Sequence, residues 1–165
     1  MVTIYFGGSA LKSENACLVN SCAKVEPLLK CCYEEADDRM MFHLSHGVKV
    51  DEFESVVMCS TDADVYVSAV YHYSSLSSFG LNDFWLVTGN KSTRKCIPLH
   101  MITQVLNSRT IKNLPAAYGL SGSDSTSKVS TKAAVLKALI EHGHLLDAFG
   151  LDELSRICLE MLKNF

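Results

Sequence analysis

The strongest constraint on the fold is an alternation of short apolar runs with helix-length periodic segments between Glu34 and Leu120. Ser55-Val56-Val57-Met58-Cys59 is a short apolar run that reads as a buried strand, with Cys59 an inert core thiol. Phe84-Trp85-Leu86-Val87 reads as a second strand, with Trp85 in the core. Val65 to Tyr73 suits a helix between them despite its β-branched residues. Met40, Met41 and Leu44 mark an earlier helix for which Gly47 is the expected stop. Cys96-Ile97 follows a polar turn and suggests a hairpin. Pro98 opens a helix through Leu106, and Arg109 to Leu120 holds a further helix or two. Lys132 to His142 is a strong helix, and Asp147 or Asp152 caps a last one running to Leu162. Strands alternating with helices predict an α/β fold, a mainly parallel twisted sheet with helices on both faces, followed by a C-terminal helical hairpin segment. Ligands in such sheets sit at the carboxyl ends of the strands, where Asp62 and Asp64 fall.

The 165 residues fit one domain, and 48% hydrophobic content is enough to bury a core. Three parts follow from the pattern: a short β-rich segment over 1–33, an α/β core over 34–127, and C-terminal helices over 128–165. Val2–Phe6 and Ala16–Val19 are the β-like pieces of the first part. A formal charge of −3 argues against a surface coated for nucleic-acid binding and leaves room for a local basic strip. No apolar run approaches the ~18 residues of a membrane span, and the first residues lack a signal-peptide pattern. With seven cysteines, an odd number, reduced thiols in nucleus or cytoplasm are expected. Cys17, Cys22, Cys31 and Cys32 lack a paired C-x2-C knuckle, so a zinc site has little support. His43, His46, His142 and His144 read as surface or partly buried side chains, and no nucleotide-binding loop motif is present.

Three acidic groups carry the chemical interest. Glu35 and Asp37 fall at a helix start, Asp62 and Asp64 just past a strand, and Asp124 in a Gly-Ser-Asp turn. Hydrolysis of a phosphodiester by two divalent cations needs such clustering, because ions ~3.5–4 Å apart are held by several shared carboxylates. Hard oxygen ligands select Mg2+ or Mn2+ over zinc. Each group also has an ordinary role open to it: partner of a helix dipole, helix N-cap, or turn aspartate.

The run Glu34-Glu35-Ala36-Asp37, then Ser60-Thr61-Asp62-Ala63-Asp64-Val65, then Leu120-Ser121-Gly122-Ser123-Asp124-Ser125-Thr126-Ser127 resembles the successive acidic motifs of the PIN/flap-endonuclease superfamily. It is similar in particular to animal PIN-like proteins, many associated with mobile elements. Phe84 to Gly89, Cys96 to His100 and Leu114-Pro115-Ala116 match that group's pattern, and the resemblance covers roughly Cys31 to Leu139. It implies a metal-dependent nuclease acting on DNA or RNA, with Glu35, Asp37, Asp62, Asp64 and Asp124 holding Mg2+ or Mn2+. Asp62, Asp64 and Asp124 would be catalytic. It further implies that Lys128, Ser130, Thr131 and Lys132 belong to a helix–hairpin–helix that grips a phosphodiester strand, there aided by a bound K+. A helix N-terminus is a natural anion site, and lysines add salt-sensitive attraction. Two features depart from the pattern. Residues 1–33 offer only Glu14 and Glu26 where further carboxylates are expected, and Ser130 stands where the hairpin has glycine. The alternative expectation is therefore a catalytically degenerate PIN-like module that binds nucleic acid or a protein. A protein partner or a missing N-terminal segment could complete the site.

Overall fold

The structure, a computed structural model, describes residues 3–6, 16–19, 22–25, 27–29, 35–122 and 130–147. At the N-terminus, β1 (Thr3–Phe6), β2 (Ala16–Val19) and β3 (Cys22–Val25) form an antiparallel meander. β3 has no counterpart in the sequence reading, because Asn20-Ser21 lacks the glycine that marks a two-residue hairpin. A 3-10 turn at Pro27–Leu29 follows and buries Leu29 completely.

The main body comprises α1 (Ala36–Lys49), β4 (Ser55–Cys59), α2 (Ala63–Ser77), β5 (Asp83–Thr88), β6 (Lys95–Pro98), α3 (Leu99–Val105), α4 (Ser108–Leu120) and α5 (Lys132–His142). β4 and β5 are parallel, with Val57 opposite Trp85 and Cys59 opposite Val87. α2 provides the crossover that parallel pairing requires. β5 and β6 are antiparallel, with Val87 opposite Cys96 and Thr88 opposite Lys95. β6 is the hairpin strand expected at Cys96-Ile97, and with one parallel and one antiparallel pair the sheet is mixed rather than mainly parallel. The connection over 89–94 is too short for a crossover of a dozen or more residues, so the chain turns straight back.

Alternation along the strands sets which face is covered. Val56 and Met58 of β4 and Phe84 and Leu86 of β5 join one core cluster with Leu44 and Val48 of α1, Val65 and Tyr73 of α2, Leu99 of α3 and Ile111 of α4. On the opposite face Val57 is 61% exposed, and the free thiols of Cys59 and Cys96 are exposed as well. Among the described residues the helical core cluster draws on one face, while the other exposes Val57 and still buries Val87, and Cys59 is not the core thiol that its apolar neighbours suggest. Trp85 is half-buried, its ring edge-on to His100 at 5.2 Å.

Local preferences yield to packing in two places. α1 runs through Gly47 to Lys49, and Val48 is 1% exposed. Burying a valine is worth ~1.5–3 kcal/mol, which outweighs the ~1 kcal/mol helix cost of glycine. α4 is a single helix with Pro115 inside it. Its start is set by Asn107, whose side chain accepts the N–H of Thr110 at 2.8 Å. A smaller cluster of Ala117, Val135, Leu139 and Leu146 joins α4 to α5. Asn113 reinforces it by donating to the Gly143 carbonyl at 2.7 Å and to Asp147 Oδ1 at 2.8 Å. Asp147 also pairs with Arg109 at 3.2 Å, and the helix expected beyond it lies outside the described residues. No described helix is long and apolar enough to cross a membrane.

Candidate metal centre

β4 delivers the chain to one end of the sheet at Cys59, and the backbone there is tightly specified. Ser60 N–H donates to the Val87 carbonyl at 3.1 Å, carrying the parallel pairing one residue past the strand. Ser60 Oγ accepts the N–H of Asp62 at 3.0 Å, a serine turn that bends the chain toward α2. Asp62 then caps α2, its Oδ1 accepting the N–H of Asp64 at 3.0 Å. Tyr66, one turn into α2, donates its hydroxyl back to the Ser60 carbonyl at 3.0 Å. Asp62 and Asp64 are thus fixed at the carboxyl end of β4.

Asp37 comes to the same place from the first turn of α1. One oxygen from each of Asp37, Asp62 and Asp64 lies within 4.8 Å of the others. Asp37 and Asp64 are half-buried and Asp62 is exposed, so the trio forms an open rim. Burial first, and then the charges of Asp62 and Asp64, pushes the Asp37 carboxyl above its ordinary value. Glu35 and Asp38 add smaller contributions in the same sense. The donors are hard oxygens and their mutual repulsion is relieved by positive charge, so the set suits a divalent cation such as Mg2+ or Mn2+. Capping and ligation are compatible at Asp62, because a carboxylate offers two oxygens and several lone pairs.

The other sequence candidates fall differently. Glu35, expected beside Asp37 as a ligand, is exposed at the N-cap of α1, makes no side-chain cap and is not one of the three. Asp124 and Lys128 lie outside the described residues. Ser130 is half-buried just before α5. Thr131 caps α5, its Oγ1 accepting the N–H of Ala134 at 3.2 Å. Lys132 places its ammonium 4.9 Å from the centre of the Tyr118 ring. His46 is buried, and His43 is half-buried with its pKa lowered by burial and then by His46 and Arg39.

Sequence reasoning passed over Ser60 and Tyr66 as positioning residues. The Ser-x-Asp spacing is the one signal that could have pointed to the turn. The hydroxyl of Tyr66 depends on how α2 leaves the strand, which no short motif encodes. A cavity of about 350 Å3 between α1 and α2, lined by Asp38, Met41, Phe42, Ser45, Lys49 and His72 among others, excludes the trio. No protein-family model, curated protein or solved structure matches the chain.

Proposed function

We propose that this is a PIN/flap-endonuclease-like domain and a Mg2+- or Mn2+-dependent nuclease that hydrolyses phosphodiester bonds of DNA or RNA at the Asp37–Asp62–Asp64 rim. The observation that carries the reading is the approach of three carboxylate oxygens to within 4.8 Å, contributed by two helix starts at one end of the sheet. A cation held there would lower the pKa of a bound water and draw charge from a phosphoryl oxygen. Asp37, Asp62 and Asp64 are the ligands. Ser60 and Tyr66 hold Asp62 in place, so the set is organised before anything binds. The rim lies in the open, which suits a substrate as long as a nucleic-acid strand.

The test is cleavage of end-labelled single-stranded DNA and RNA with Mg2+, Mn2+ or EDTA. Cleavage by the parent that needs a divalent cation and is lost in Asp62→Asn/Asp64→Asn supports the reading. Equal cleavage by parent and double variant, or none by either, rejects it.

The degenerate, purely binding module remains the second reading, and one observation favours it. Among the described residues three carboxylates converge, where a pair of cations calls for more. That module cuts nothing in the same assay, while it still binds the oligonucleotides or a protein.

A further inference from the structure

The hairpin between β5 and β6 leaves the sheet at the same end as the acidic trio, because β5 runs parallel to β4. Its tip and the first residue of β6 carry Lys91, Arg94 and Lys95, all exposed, and none forms an ion pair with a described residue. The acidic rim and this basic group therefore share one edge of a protein whose net charge is −3. Cys59, Val87 and Cys96 lie in one row across the three strands, and Lys95 follows one residue beyond, opposite Thr88. With strands ~4.8 Å apart, β6 lies roughly 10 Å from β4 across the sheet. One charge every ~3.4 Å along a stacked strand makes that span about three phosphates.

The tip is built to hold a shape. Gly89 has φ +81, and an added Cβ there would strike the Thr93 carbonyl. Asn90 organises the turn: its N–H donates to Thr93 Oγ1 at 3.2 Å, and its Oδ1 accepts from the hydroxyls of Ser92 at 3.2 Å and Thr93 at 2.9 Å. The Thr93 N–H closes the turn on the Asn90 carbonyl at 3.0 Å. These bonds use the short polar side chains and do not involve the three long cationic ones. Because the turn's own hydrogen bonds already order its backbone, presenting the three cations from it lowers the ordering cost of contacting a polyanion.

We propose that Lys91, Arg94 and Lys95 form a phosphate-backbone contact that seats a nucleic-acid strand across the rim, next to the acidic trio. The choice of nucleic acid as the polyanion rests on the nuclease reading, and the contact itself needs no cation or cleavage. Neutralising backbone phosphates releases counterions, so such a contact has a salt signature that an apolar one lacks.

The experiment measures binding of fluorescent single-stranded DNA and RNA oligonucleotides in EDTA, over a range of salt, by fluorescence anisotropy. The proteins are the parent, the triple variant Lys91→Ala/Arg94→Ala/Lys95→Ala, and a control, Lys49→Ala/Lys112→Ala. Thermal melts check folding, and Mn2+ titrations are run in parallel without oligonucleotide. The triple variant is expected to bind about tenfold more weakly or worse at ~0.1 M salt. Its log K against log salt slope should be shallower by about 2, from ~0.7 per phosphate contact on a single strand. The control should stay within about twofold of the parent, the noise of removing unrelated surface charge. Undiminished binding by the triple variant, an equal loss in the control, or no binding by the parent overturns the proposal. Absence of Mn2+ uptake by the parent would count against the metal site alone, because the EDTA measurement judges the basic tip independently.

Discussion

Asp62 accepts the backbone N–H of Asp64 at 3.0 Å while its own carboxylate is one of the three that face each other at the rim. One side chain both starts α2 and offers an oxygen to the proposed metal site, and the two roles separate by substitution. Asparagine caps a helix about as well as aspartate, whereas alanine does not. Asp62→Asn should unfold within about 0.5 kcal/mol of the parent yet bind Mn2+ at least about tenfold more weakly. Asp62→Ala should lose a further ~1 kcal/mol of stability. Urea denaturation with Mn2+ calorimetry on both variants checks this. Unchanged Mn2+ affinity in Asp62→Asn would refute it.

Asp37 makes the stability depend on pH in a defined direction. Its carboxyl is raised from 3.8 by burial and then by Asp62 and Asp64, so the folded state holds that proton more tightly than the unfolded chain. Stability then falls as pH climbs from the ordinary aspartate value through the raised one, and the penalty is complete above it. Asp37→Asn removes that fall. In metal-free buffer the variant's urea midpoint should gain on the parent's as pH climbs from the ordinary aspartate value through the raised one. A gap that stays constant over this range would show that neither burial nor the charges of Asp62 and Asp64 raise the Asp37 carboxyl.

Phe84 is fully buried beneath α2, stacked on Tyr73 with ring centroids 6.4 Å apart. Phe84→Ala should cost about 3–5 kcal/mol, the usual result of emptying a filled aromatic site. A loss below about 1 kcal/mol by chemical denaturation would mean that this face is not the core of the sheet.

Gly89 stands at φ +81 with no room for a side chain against Thr93. Gly89→Ala should destabilise by about 1–3 kcal/mol, since the turn must open or hold a strained residue. Glu52 is the converse case, a non-glycine at φ 57 in the connection from α1 to β4. Glu52→Gly should be neutral or stabilising by up to ~1 kcal/mol, because relief of the left-handed strain offsets glycine's added chain entropy. Thermal melts of the two variants should therefore move in opposite directions or leave Glu52→Gly unmoved. A fall in both would contradict the backbone account.

Much of the main body was legible in the residues, because periodicity reports which face of an element is buried. Ser55–Cys59 and Phe84–Val87 emerge as strands, and the Val65 helix emerges between them, longer than its apolar stripe because Asp62 caps it early. The fate of the second sheet face was not legible. A run such as Val56-Val57-Met58 is apolar on both sides, and whether Val57 is covered depends on where helices pack, which strand composition does not record. Sheet direction at β6 was legible, because the short polar turn before Cys96-Ile97 already implies a hairpin. Of the acidic candidates, Asp62 and Asp64 are tied by local sequence, and Asp37 joins them through the packing of α1 against α2. Glu35 stands exposed at the N-cap of α1, makes no side-chain cap and is not one of the three.

The central claim is that Asp37, Asp62 and Asp64 together hold a hard divalent cation, and the most direct measurement is Mn2+ binding followed by EPR on the full chain. The expected result is a saturable site in the parent, competed by Mg2+, weakened as pH drops through the raised Asp37 value, and weakened at least about tenfold when any one of the three becomes asparagine. Mn2+ uptake indifferent to all three substitutions, or no uptake at millimolar Mn2+, would contradict it.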